Sequence, residues 1–90
     1  MTERESAALN QLREAVELAI KEETYRHVLD SFRYDLVWYR KKRRENEYGT
    51  DDYKKYFTEE MAAENTILRI TSTAKAWDGI EIDYAPYLED

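Results

Sequence analysis

The stretch Tyr25–Arg44, YRHVLDSFRYDLVWYRKKRR, constrains this chain most, because it joins the densest apolar periodicity to the only basic cluster. Read as a helix, Tyr25, Val28, Leu29, Phe32, Leu36 and Tyr39 recur at spacings of three and four and form one stripe. Tyr34 and Trp38 fall on roughly the opposite face, with His27 and Ser31 continuing their line backwards. A helix that is apolar on two sides belongs at the centre of a bundle or in an interface between copies.

The preceding segment reads as helix from Thr2. Thr2 and Glu5 have capping-box spacing, in which the threonine oxygen satisfies a first-turn amide. Leu9, Leu12, Val16, Ala19 and Ile20 then form a narrow stripe, flanked by Glu14, Glu17 and Lys21 at spacings that suit exposed ion pairs. This stripe covers only about two heptads, too few for an independent coiled coil. Between Ile20 and Tyr25 the apolar stripe changes face. Thr24 could cap a second helix there, yet no glycine or proline marks a break. The alternative is one helix of some 40 residues, about 60 Å long at about 1.5 Å per residue. The first stripe, extended past His27, arrives at Tyr34 and Trp38, which favours the continuous form. Such a rod cannot bury itself within 90 residues, so it implies a dimer or higher oligomer.

Composition agrees. Two glycines, one proline and a charged fraction of 38% point to long helices and few turns. Glu45–Thr50 is the one convincing loop, with Gly49 suited to a left-handed conformation and Thr50 placed to cap a second long helix. Asp51 and Asp52 suit the first turn of that helix, where the dipole favours acidic side chains. Its main face is expected to follow Tyr53, Tyr56, Phe57, Met61, Glu64, Leu68, Thr71 and Lys75, with Ile67 and Ala74 along one edge. Thr58 could restart it after a short first segment, and Gly79 should end it near Ala76 or Trp77.

Beyond Gly79, Ile80–Tyr84 alternates apolar and acidic residues with a strand period, but the chain offers no second strand, and Pro86 ends the segment. The tail either packs over the helices, pairs with its symmetry mate or waits for a partner. The expected fold is all-α: a small bundle of two to three helices over residues 1–78, with an extended acidic arm over 79–90. The first element is a long helix or a helix pair, and the bundle is expected to be oligomeric.

The absence of cysteine excludes disulfides, thiolate metal sites and a cysteine nucleophile. The charged first ten residues do not read as a signal peptide, and no apolar run approaches the roughly 20 residues of a membrane span, so a cytoplasmic, non-membrane chain is expected. Gly49 and Gly79 are too far apart for a phosphate loop. His27 is the single histidine, without the partners that triad chemistry requires, and the carboxylates lack the Glu-x-x-His pattern of a di-metal bundle. No enzymatic activity, metal or cofactor is expected.

Two binding roles remain. From Met1 to Asn46 the charge balance is +1, whereas from Glu47 to Asp90 it is −7, which together give the net −6. The first role is a protein-binding module, perceived as a small acidic inhibitor or adaptor of the nucleic-acid-mimic or phage anti-defence type. It would use Asp78, Glu81, Asp83, Tyr84, Tyr87, Glu89 and Asp90 on a basic site of a larger protein. The second is a nucleic-acid- or nucleotide-binding oligomer using Arg40, Lys41, Lys42, Arg43 and Arg44, with Trp38, Tyr39 and Tyr48 as stacking surfaces. The plainer reading of the basic run, and the one preferred, is a solvated helix end that also pairs with the acidic tail of its own or a neighbouring chain.

Overall fold

The computed structural model describes residues 2–90. Helix α1 runs unbroken over Glu3–Glu45, α2 over Asp51–Asp78, and a single turn, α3, over Ala85–Leu88. Thr24 does not cap a second helix; its hydroxyl donates to the Ile20 carbonyl one turn back, a bond made without leaving the helix. Thr58 does the same to Lys54 O, so α2 is also continuous. Both long helices are capped as the sequence implies. Thr2 Oγ1 accepts from Glu5 N at 3.2 Å, Thr50 Oγ1 accepts from Tyr53 N at 3.2 Å, and Gly79 ends α2 at φ 65°.

The hairpin turn at Gly49, φ 85°, folds α2 back antiparallel along the second half of α1. Leu29 and Leu36 of α1 and Ile67 of α2 are wholly buried, with Ala63 and Ala74 beside them. The face of α2 that packs is Glu60, Ala63, Ile67, Thr71 and Ala74, so Ile67 and Ala74 lie at its centre and Phe57, Met61 and Leu68 stay exposed. The expected face of α2 is therefore rotated. Small side chains at Ala63 and Ala74 let the helices approach closely, which outweighs the larger residues on the neighbouring stripe.

The tail completes the core. Ile80 and Ile82 are buried in the seam between the helices, and Tyr87 and Leu88 pack against the same cluster. No strand forms among the described residues; the two isoleucines face inward because the extended backbone alternates its side chains, and helices rather than another strand receive them. Pro86 sits in the first turn of α3, where its missing N–H costs nothing.

The lengths do not match. α1 has 43 residues and α2 has 28, so the first half of α1 projects past the end of α2, and the long dimension of the molecule is 69 Å against 18 and 16 Å across. Leu36→Ala or Ile67→Ala should lower stability by about 2–5 kcal/mol, whereas Leu12→Ala in the projecting arm should change it by less than about 0.5 kcal/mol in dilute solution. Urea titrations of the three variants check this difference.

Candidate functional site

The projecting arm is the most unusual surface. Every described residue up to Lys21 is exposed, including Leu9, Leu12, Val16, Leu18 and Ile20, whose exposures lie between 46% and 61%. Helical spacing carries the stripe of Leu9, Val16 and Ile20 on through Thr24, His27 and Ser31 to Tyr34, which is 74% exposed, and to Trp38. This line lies opposite Leu29 and Leu36, so from Leu9 to Tyr34 it faces away from α2 and the tail. Trp38 bounds it, set edge-on to Tyr39 at 5.4 Å and to Tyr56 of α2 at 5.9 Å between ring centroids, with Lys42 over its ring. His27 thus lies on an outward face, with Arg26 and Asp30 beside it in sequence.

Charge along α1 is segregated. Glu3–Thr24 holds six acids and three bases, and Tyr25–Glu45 holds three acids and seven bases. The basic end is not a free patch. Arg40 falls on the core stripe, one turn beyond Leu36 and three beyond Leu29, and is therefore buried. It donates from Nε to Glu60 at 3.2 Å and from Nη2 to Glu64 at 2.9 Å, and Nη1 lies 3.3 Å from Asp90 without the alignment of a hydrogen bond. Arg43, three residues on, also donates to Glu60, which holds its guanidinium charged above the ordinary value. Arg44 donates to Asp90, and Arg33 donates to the Glu89 carbonyl. Of the five-cation run, Lys42 lies against Trp38 and Glu45, and only Lys41 has no ion-pair partner among the described residues.

Three acids of the tail, Asp78, Asp83 and Asp90, are likewise taken up within the chain, whereas the Glu89 carboxylate has no partner among the described residues. Asp78 accepts from Tyr25 Oη at 2.5 Å and from Lys21 Nζ at 3.2 Å. These donors, Tyr25 first, hold the Asp78 carboxyl below its usual range, and the same bond raises the Tyr25 phenol. Asp90 is lowered chiefly by the hydrogen bond from Arg44, and further by the charges of Arg40 and Arg33. Asp83 accepts from the Ala85 amide, and Tyr87 accepts from Arg26 at 3.4 Å. Glu81 and Tyr84 remain outward, with Glu81 3.5 Å from Lys75. The two sets singled out in the sequence, Arg40–Arg44 and the tail, meet at one residue, Asp90, which lies against Arg40 and accepts from Arg44. Sequence reasoning missed Glu60 and Glu64 as the partners of Arg40; the available signal was a charged residue on each of two apolar stripes near the turn.

The remaining concavities are shallow. One, lined by Tyr48, Gly49, Tyr53, Lys54, Phe57 and Thr58, has aromatic walls beside the turn, and another is bordered by Leu18, Asp78 and Ile80 where the arm leaves the hairpin. No group of three or more metal-ligating side chains gathers among the described residues, and no helix there is long and apolar enough to cross a membrane. The chain matches no protein-family model, no curated protein and no solved structure.

Two outcomes follow. Glu60→Ala leaves Arg40 buried with weaker partners and should cost about 3 kcal/mol, measured by urea denaturation; a loss below about 1 kcal/mol would contradict the role given to this pair. Asp78 and Asp90 have depressed folded pKa values, so their contribution is present above the unfolded value near 3.9 and is lost as pH falls through the lower folded values. Tyr25 is raised, so its contribution holds below about 10 and is lost as pH rises through the folded value. Tail contacts followed by NMR at Ile80 and Ile82 should therefore persist between about pH 4 and 10 and loosen outside that window before the helices melt.

Proposed function

We propose that this chain is a non-catalytic protein-interaction module whose docking element is the projecting arm of α1. The observation that carries this reading is the run of large apolar side chains on the arm, from Leu9 to Ile20, left uncovered by the chain's own fold. A helix of this length is marginal in water without a packing face, so a covering surface stabilises the arm as well as binding it. The surplus of acids around the stripe favours a cover that is apolar in the middle and basic at its rim.

The charge preference is the one expected of an acidic module, but its seat moves from the tail to the arm, since Asp78, Asp83 and Asp90 of the tail already have partners and leave only Glu81 and Glu89 outward. An inhibitor or adaptor acting on a basic site of a larger protein fits this reading, as does assembly with a second copy. Nucleic-acid binding through Arg40–Arg44 is disfavoured because Arg40, Arg43 and Arg44 are neutralised within the chain, leaving Lys41 and Lys42 as local positive charge on a molecule of net −6.

Panning a displayed library of random helical peptides against the chain tests the reading. The expected hits are amphipathic helices with basic flanks, lost when the arm carries Leu12→Glu and Val16→Glu. Hits that survive this double substitution would contradict it. Titration with single- and double-stranded nucleic acid should show no binding at low salt; binding that falls as salt rises would favour the second role.

A further inference from the structure

The surface that covers the arm is the other half of α1 in a second copy of the chain, and we infer that two α1 helices pair antiparallel, back to back, about an axis near Thr24. This inference rests on the reading of the arm as a docking element. It goes further by naming the occupant, the orientation and the register.

Three observations on α1 converge. First, the outward stripe runs almost the whole helix, from Leu9 to Trp38, so it can pair with itself. Antiparallel pairing about a point between Glu23 and Thr24 sets Leu9 against Trp38, Arg13 against Tyr34, Val16 against Ser31 and Ile20 against His27. Leu9 then meets the Trp38 indole and the Arg13 stem lies over Tyr34, while Val16 and Ile20 are covered by Ser31 and His27 nearer the axis.

Second, the charge segregation selects the direction. Parallel pairing, or pairing of arm with arm, would bring two segments with six acids and three bases together. Antiparallel pairing over the full helix instead sets each acidic arm against a segment with three acids and seven bases, and opposes the two helix dipoles.

Third, charges left without ion-pair partners inside the described chain meet across this register. Glu5 and Lys41 fall on the same side of the stripe and face each other between copies, and so do Arg13 and Asp35; none of the four has an ion pair among the described residues of its own chain. Glu23 approaches its own copy beside the axis, a single adverse contact at an exposed position. The two hairpins stay on opposite outer sides, because α2 and the tail occupy the other face of α1; α2 reaches the stripe only where Tyr56 meets one edge of Trp38, which still leaves that indole 43% exposed.

The chain contains no cysteine, which makes single-cysteine cross-linking a direct test. Thr24→Cys, Leu9→Cys, Arg13→Cys and Tyr34→Cys each replace an exposed side chain and should leave the hairpin folded, as circular dichroism and unchanged melting would show. With a short bis-maleimide, Thr24→Cys should link to its own copy in high yield. Leu9→Cys should not, because its copies lie about 40 Å apart at 1.5 Å per residue. A mixture of Arg13→Cys and Tyr34→Cys should give the mixed dimer in preference to either self-linked product.

Self-linking of Leu9→Cys as readily as Thr24→Cys would overturn the antiparallel arrangement, and self-linking of Arg13→Cys alone would overturn the register in favour of arm against arm. Either result would leave the arm as a docking element. A monomeric mass at every concentration by sedimentation, with no links, would overturn the second copy as occupant; whether the arm docks at all would still be decided separately by the peptide panning.

Discussion

The mismatch between a 43-residue helix and the 28-residue helix folded against it is the constraint on which the rest of the structure depends. An antiparallel hairpin can bury only the length that both helices share. What lies beyond that length must either be polar all round or find cover elsewhere. Here it is not polar all round: Leu9, Leu12, Val16 and Ile20 recur at helical spacing. The capping threonine, the continuous helix through Thr24 and the absence of glycine or proline in α1 all keep this arm straight and presented.

Within the shared length, a small core is supplemented by two devices. The tail supplies Ile80 and Ile82, which extends the buried cluster beyond what two helices alone provide. Arg40 ties the three segments at the turn end, bonding Glu60 and Glu64 of α2 while lying against Asp90 of the tail. At the other end, Tyr25 and Lys21 hold Asp78 where α2 stops. The tail is thus fixed electrostatically at both ends and by apolar contacts between them. The arginines of the basic run are neutralised within the fold, Arg40 and Arg43 chiefly by Glu60 and Glu64 of α2 and Arg44 by Asp90 of the tail.

Much of this architecture is legible in the sequence. The all-α class, the caps at Thr2 and Thr50, the turn at Gly49, the stop at Gly79 and the core positions Leu29 and Leu36 follow from spacing and turn chemistry. The face of α2 was less legible because its packing residues Ala63 and Ala74 are small, and apolar periodicity gives most weight to large side chains such as Phe57 and Met61, which stay outside. The burial of Arg40 and Glu60 was also hidden, since a charged residue on an apolar stripe reads as an edge unless its partner is known. For the candidate site, the continuation of the first stripe into Tyr34 and Trp38 was readable, whereas the pairing of basic run with tail was one of several open alternatives. Helical periodicity places residues on faces; it does not say which distant segment will lie across them.

Hydrogen exchange across α1 as a function of protein concentration tests most directly the claim that the arm is a surface built to be covered. Amides of the hairpin half, around Leu29 and Leu36, should be protected at every concentration, because their cover is intramolecular. Amides between Leu9 and Ile20 should exchange quickly in dilute solution and become at least tenfold slower as the concentration rises. Arm amides that exchange at the same fast rate at all concentrations, while the hairpin stays protected, would contradict assembly through this face.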